Sequence, residues 1–351
     1  MSCTPIEIAE ALASNFDAII DVRSPSEFAE DHMPGAVNWP VLDDEQRHVV
    51  GTLYKQVSAL EARKLGGAMV ARNIADHLDR QSALMHKGWK PLVYCWRGGQ
   101  RSGAMAWYLG QLGFNSRQLS GGYKAFRALV RHELENLPIT AELRVICGRT
   151  GTGKTRLLAA LSDEGAQVLD LEGLACHRGS VLGHLPGAKQ PSQKRFETLI
   201  WQALRCLDLG RPVYLESESR KIGQLRVPEK LHQTMRNTGR CWLIELPESA
   251  RVQLLLEDYQ HFVQDVEGFC VQLDCLVELR GKDTVARWQQ LARDGLWSEV
   301  FADLMREHYD PGYQRSLLQS YPLLAQAPVL ALTDASPASL TQTARCLLAQ
   351  V

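Results

Sequence analysis

The octet Gly148-Arg149-Thr150-Gly151-Thr152-Gly153-Lys154-Thr155 limits what this chain can fold into more than any other stretch. It fits G-x-x-x-x-G-K-[ST] and sits between an apolar run, Leu143 to Cys147, and a helix-forming run, Arg156 to Leu161. The motif requires that strand–loop–helix setting. Gly151 and Gly153 let backbone N–H groups converge on a di- or triphosphate, Lys154 adds a point charge, and Thr155 can hold Mg²⁺. Gly148, Gly151, Gly153, Lys154 and Thr155 are therefore the candidate phosphate-binding residues, and the fold expected around them is α/β with a parallel sheet.

Downstream, Gln167 to Leu171 reads as a second strand opening into a Gly-rich run that ends near Gly187. This run is expected to lie over a substrate, with His177 and Arg178 as substrate-loop candidates; the alternative is that both are solvated surface residues. Phe196, Leu199, Ile200, Ala203, Leu204 and Leu207 recur at helical spacing and predict a core-facing helix. Val213 to Glu216 is an apolar strand ending in an acid, which makes Glu216, with Thr155, the candidate Mg²⁺ ligand and Glu218 its substitute. Arg220, Lys221 and Arg226 open a locally basic stretch that is either a solvated face or an RNA-facing strip. Trp242 to Leu246 is a further strand, and residues 247 to 321 are almost all helical; Trp288 and Trp297, near Arg280, Lys282, Arg287 and Arg293, are at core spacing, the alternative being that they stack exposed bases. A short strand, Val329 to Leu332, and a helix end the chain.

The N-terminal part centres on Tyr94-Cys95-Trp96-Arg97-Gly98-Gly99-Gln100-Arg101-Ser102. Leu92 to Tyr94 is β-prone and Ser102 to Leu112 reads as helix, so Cys95 ends a strand just before a helix N-terminus. Loop N–H groups, the helix dipole, Arg97 and Arg101 favour a thiolate there, and Gly98 and Gly99 let the loop wrap tightly. Cys95, Arg97 and Arg101 are the candidate catalytic residues. Before them, residues 5 to 16 read as a helix and Ala18 to Val22 as a buried strand. Ser24-Pro25-Ser26-Glu27 carries N-cap, first-turn proline and capping-box signals.

Asp21-Val22-Arg23, Glu27-Phe28, His32-Met33-Pro34-Gly35-Ala36-Val37-Asn38, the Cys95 loop and Leu119-Ser120-Gly121-Gly122-Tyr123 resemble the successive landmarks of a rhodanese domain. Rhodaneses carry sulfur as a cysteine persulfide, so the resemblance implies that Cys95 is a covalent carrier. Two departures stand out. The stretch from Leu42 to Lys90 is longer than a compact rhodanese needs and predicts a helical insertion at about 42–90 that caps the loop or touches a partner. Five residues separate Cys95 from Arg101, a spacing that suits a tetrahedral anion and keeps cysteine-dependent phosphatase chemistry open.

At 351 residues the chain is long enough for two domains. Asn136-Leu137-Pro138 breaks the helical pattern, which predicts a rhodanese-like domain over 1–136 and a phosphate-loop domain over 137–351. No apolar run is long enough to span a bilayer and the acidic first thirty residues do not resemble a signal peptide, so no membrane association and a cytosolic location are expected. Nine cysteines without a regular framework or zinc-ligand spacing predict reduced thiols and no structural zinc. A net charge of −1 argues against a chain that coats nucleic acid nonspecifically, while leaving room for a local basic surface.

Taken with the rhodanese landmarks, the octet at 148–155 and Glu216-Ser217-Glu218-Ser219-Arg220 resemble the bacterial tRNA 2-selenouridine synthase family over essentially the whole chain. The resemblance implies a tRNA substrate with wobble 2-thiouridine, whose sulfur is replaced by selenium from selenophosphate. It also implies geranylation of that sulfur from geranyl diphosphate. Selenophosphate, supplied by a selenophosphate-producing enzyme, would react at Cys95, with Arg97 and Arg101 holding its phosphate. We assign the diphosphate of geranyl diphosphate to the loop of Lys154 and Mg²⁺. The alternatives are an ATP-dependent tRNA sulfurtransferase and a sulfur-relay protein, each using a Cys95 persulfide.

Overall fold

The computed structural model describes residues 4–136, 140–313 and 320–350. It divides into two compact units, one of residues 1–136 with 191–202, the other of residues 137–190 with 203–351. The Leu137-Pro138 break lies outside the described residues. Among the described residues no helix is long and apolar enough to cross a membrane.

The first unit is built on five parallel strands in the order β1 (Pro5–Ile6), β5 (Arg117–Leu119), β4 (Pro91–Tyr94), β2 (Ala18–Asp21) and β3 (Ala36–Asn38). Every residue of β4 is buried, as expected of a strand covered on both faces. The helix expected at 5–16 begins instead with β1 and is helical only as α1 (Ile8–Ala13). Tertiary context explains the difference, because pairing with β5 buries Ile6 and outweighs local helix propensity. The Asp21-Val22-Arg23 landmark is structural: Arg23 is fully buried, forks onto Asp21 at 2.6 Å and stacks on Tyr123 with 4.0 Å to the ring centroid. Burial opposes its charge, but the Asp21 carboxylate more than offsets that.

The insertion consists of two packed helices, α3 (Asp44–Gln56) and α4 (Ala59–Gln81). Asp43 caps α3 in a capping box, and Asn73 and His77 of α4 bond the carbonyls of Val41 and Pro40, anchoring the pair beside β3.

The helix expected at 196–207 forms as α9 (Gln193–Arg205), but its residues 193–202 belong to the first unit rather than to the phosphate-loop domain. Its buried face meets α6 (Gly122–Asn136): Trp201 packs edge-on against Phe126 and donates to Glu133 at 2.7 Å, and Arg127 pairs with Glu197. Helical periodicity reports that a face is buried, not what buries it.

The second unit holds five parallel strands in the order β12 (Val329–Ala331), β11 (Arg240–Glu245), β6 (Leu143–Cys147), β8 (Val213–Glu216) and β7 (Gln167–Val168). β6 is central, and the chain leaves it first toward β7 and β8 and later toward β11. The loop after β6 therefore lies at a topological switch point, where parallel sheets open a crevice for ligands. The strand expected over 167–171 stops at Val168, because Asp170 caps α8 (Leu171–Ala175) by accepting the Gly173 N–H at 2.8 Å. Trp288 and Trp297 are core residues of the helical part, packed with Phe262, Phe269 and Phe301.

Candidate active sites

Cys95 follows β4 directly and is 3% exposed. Its loop leads into α5 (Gln100–Gln111) and is pressed against the segment after β5, where the Tyr123 N–H donates to Cys95 O at 2.8 Å and the Lys124 N–H to Trp96 O at 3.0 Å. The contact is close enough to demand glycine. A Cβ on Gly122, which holds φ +57°, would overlap Cys95 O, and one on Gly98, at φ +64°, would overlap Leu119 O. Gly99 is different: its φ is −96° and a Cβ there would meet open space, so its backbone needs no glycine.

Two donors reach Cys95 Sγ: the Gly99 N–H at 3.3 Å and the Ser102 hydroxyl at 3.1 Å. Gln118 Nε2 donates to Ser102 Oγ at 2.9 Å and to Gly98 O at 2.7 Å, so the buried Ser102 hydroxyl proton is shared between Cys95 Sγ and Gly99 O, 3.3 Å away. Arg97 is exposed, and Arg101 pairs with Glu27 at 2.9 Å while Arg47 lies 3.9 Å from the same carboxylate. Burial pushes the Glu27 carboxyl up, but Arg101 outweighs it and the pKa ends below the usual range. The two arginines expected to hold the thiolate thus flank the loop without bonding sulfur. Ser102 and Gln118, which the sequence reading did not single out, are the side chains in line with it.

Replacing Ser102 by Ala removes one of the two donors. A hydrogen bond to a charged acceptor is worth ~1.5–3 kcal/mol, so iodoacetamide alkylation of Cys95, followed by mass spectrometry of its peptide, should change in rate by about threefold or more. An unchanged rate would show that the serine does not act on sulfur.

The second site forms at the C-terminal ends of β6 and β8. Gly151 and Gly153 hold φ of +77° and +81°, and α7 (Lys154–Asp163) starts directly after them. Buried Arg251 braces the loop by donating to Thr150 O at 2.7 and 2.9 Å while gripping Asp310 at 2.6 Å. One turn on, Tyr313 OH accepts the Gly148 N–H at 2.9 Å. Lys154 Nζ donates to Gly148 O at 2.9 Å. Burial disfavours its charge, but Tyr313 and the carboxylates of Glu216, Glu172 and Glu218 outweigh it and raise its pKa.

Those carboxylates converge. Glu216 ends β8, Glu218 follows two residues later, and Glu172 comes from the first turn of α8; their oxygens lie within 4.8 Å of one another. The Thr155 hydroxyl is 3.4 Å from Glu172. Burial, then mutual repulsion, raises the Glu172 carboxyl well above its usual range and pushes Glu218 up to about 8, with Lys154 offsetting only part. Burial also raises Glu216, whose Oε1 has no hydrogen-bond partner. Hard oxygen donors around an unsatisfied buried carboxylate fit Mg²⁺.

Both features border a cavity of about 660 Å³. Lys154, Thr155 and the three glutamates line it together with the apolar and aromatic side chains of Val181, Leu255, Tyr259, Leu279, Tyr309 and Tyr321. Of the two substrate-loop candidates, Arg178 borders the cavity, donating to Asp258 O at 2.6 Å and lying over the Tyr259 ring. His177 does not. It is 2% exposed, packs edge-on against His184, and burial lowers its pKa to about 4. The Gly-rich run is therefore partly core, with buried Leu182 in the helical cluster and only Arg178 to Val181 facing the cavity. Lys221 and Arg226 face each other across a hairpin of β9 (Lys221–Ile222) and β10 (Leu225–Arg226), and Arg220 pairs with Glu229 at 2.7 Å.

A cysteine held by N–H and hydroxyl donors on one parallel sheet, and a phosphate loop with a carboxylate cluster on another, define a two-site group-transfer enzyme. Comparison with known proteins makes this specific. Residues 4–129 match the rhodanese-like domain, and residues 141–273 match the tRNA 2-selenouridine synthase AAA domain. The chain is 35% identical to the tRNA 2-selenouridine synthase of Chromohalobacter salexigens over 334 residues, covering 86% of this chain and 88% of that one. It is 39% identical to that of Nitrosomonas europaea over 245 residues, spanning 69% of this chain and 63% of the relative's length. It belongs to the tRNA 2-selenouridine synthase family.

Proposed function

We propose that this chain converts wobble 2-thiouridine in tRNA to 2-selenouridine in two steps divided between its two sites. In the first, the 2-thio sulfur attacks C1 of geranyl diphosphate, a C–S bond forms as the C–O bond breaks, and pyrophosphate leaves. In the second, selenium from selenophosphate replaces the geranylated sulfur at C2, and the sulfur departs as the geranyl thiol. Alkylation makes this sulfur a better leaving group. The phosphorus of selenophosphate leaves as phosphate, its new oxygen supplied by water.

The observation that carries the assignment of geranyl diphosphate is the mixed lining of the second cavity, where aromatic and aliphatic side chains stand beside the phosphate loop and the carboxylates. Mg²⁺, held by Thr155 and Glu216, would neutralise charge on the leaving pyrophosphate; Lys154 adds its own charge there. Arg178 is placed to orient the substrate. The Cys95 loop, with Ser102, Gly99 N–H, Arg97 and Arg101, is assigned selenophosphate, from an enzyme that produces it. An incoming anion would compete with Glu27 for Arg101. Lys221, Arg226 and Arg220 are assigned to RNA contact, with phosphate-backbone charge as the attraction.

Mass spectrometry of tRNA nucleosides from selenium-supplied cells with and without this chain tests the reading. Loss of 2-selenouridine, with 2-thiouridine retained, is the expected result; unchanged 2-selenouridine overturns it.

A further inference from the structure

We propose that Glu172, Glu216 and Glu218 form a preformed divalent-cation site that fills before any diphosphate arrives. In a phosphate loop that receives its metal together with its substrate, the phosphate oxygens supply charged ligands and one strand-end acid suffices. Here the protein supplies three carboxylates from two strand ends, β7–α8 and β8, with oxygens within 4.8 Å of one another and the Thr155 hydroxyl 3.4 Å from Glu172. Adjacent ligand oxygens on an octahedral ion with ~2.1 Å bonds lie about 3 Å apart, so a bound ion would draw these carboxylates together by side-chain rotation.

Charge leads to the same conclusion. Three carboxylates lie together, and among the described residues none makes a salt bridge with lysine or arginine; Lys154 compensates them only in part. The other nearby cations are engaged elsewhere: Arg156 pairs with Glu257 and Asp258, Arg178 holds Asp258 O, and Arg251 holds Asp310. Glu216 is 3% exposed, borders the cavity and has an oxygen, Oε1, with no donor. A buried carboxylate oxygen without a partner is costly, and a divalent cation satisfies it while offsetting the charge of its neighbours. The proposal holds whether the organic part of the substrate is a prenyl chain or a nucleoside.

Mn²⁺ serves as the probe, titrated into the full chain without any phosphate compound and followed by loss of the free-ion paramagnetic resonance signal. One Mn²⁺ should bind per chain, and Glu172→Gln and Glu218→Gln should each weaken it at least about tenfold, since removing a charged ligand lowers affinity. Both variants relieve like-charge crowding, so their metal-free melting temperatures should equal or exceed that of the wild type; circular dichroism confirms the fold. Binding that appears only after pyrophosphate is added, or wild-type affinity in either variant, overturns the proposal. Loss of geranyl transfer with Mn²⁺ binding intact would count against the substrate assignment and leave the cation site standing.

Discussion

Replacing Cys95 by Ala should abolish 2-selenouridine formation while tRNA with S-geranyl-2-thiouridine accumulates. Sulfur at this position receives the Gly99 N–H and the Ser102 hydroxyl, and alanine offers neither a nucleophile nor an acceptor. Removing the thiol from the loop assigned to selenophosphate leaves only background rate, so a loss of about 10³-fold or more in selenation is expected. The side chain is small and the loop is held by backbone bonds from Tyr123 and Lys124 to the carbonyls of Cys95 and Trp96, so the fold should survive. Nucleoside mass spectrometry after incubation with geranyl diphosphate and selenophosphate reads both products at once. Parallel loss of the geranylated nucleoside would contradict the division of labour.

The second large effect is expected at Lys154. Its ammonium lies beside the carboxylate cluster, whereas Arg149, the other cation of the loop, pairs with Asp310; the Lys154 charge is reinforced by Tyr313, Glu216, Glu172 and Glu218. Loss of a single electrostatic stabiliser of a developing anion costs ~3–4 kcal/mol, so Lys154→Ala should lower geranyl transfer by about 10²–10³-fold, mainly in kcat. Selenation of unmodified tRNA falls with it, because the second step is starved. Supplying tRNA that already carries S-geranyl-2-thiouridine should restore selenation to the wild-type rate. Failure of that rescue would place Lys154 in the selenium step as well.

Much of the chemistry was legible because it is carried by contiguous residues. The octet at 148–155 encodes strand, loop and helix together, since its glycines, lysine and threonine act on one ligand through adjacent backbone. The capping box at Ser24 and Glu27 is local in the same sense, whereas the tight wrap of the Cys95 loop depends on Leu119 and Gly122, more than twenty residues on. Burial in the Gly-rich run up to Gly187 is not local: His177 and Leu182 are core, because Gly at a turn does not reveal what flanking side chains pack against.

Contiguous residues specify two domains, a reactive cysteine at the end of one strand, and a phosphate loop at the end of another within a parallel sheet. The neighbours of those residues come from the tertiary fold. Glu172 stands 44 positions before Glu216, and they meet because β7 and β8 are paired neighbours whose C-terminal ends open on one crevice. Gln118 reaches Ser102 because β5 lies beside β4 in a register that pairs it with Val93. α9 joins the first unit although its periodicity fits either. Periodicity and motif spacing report which face is buried and which atoms are chemically able; partners distant in sequence are set by strand order and register, which no local pattern records.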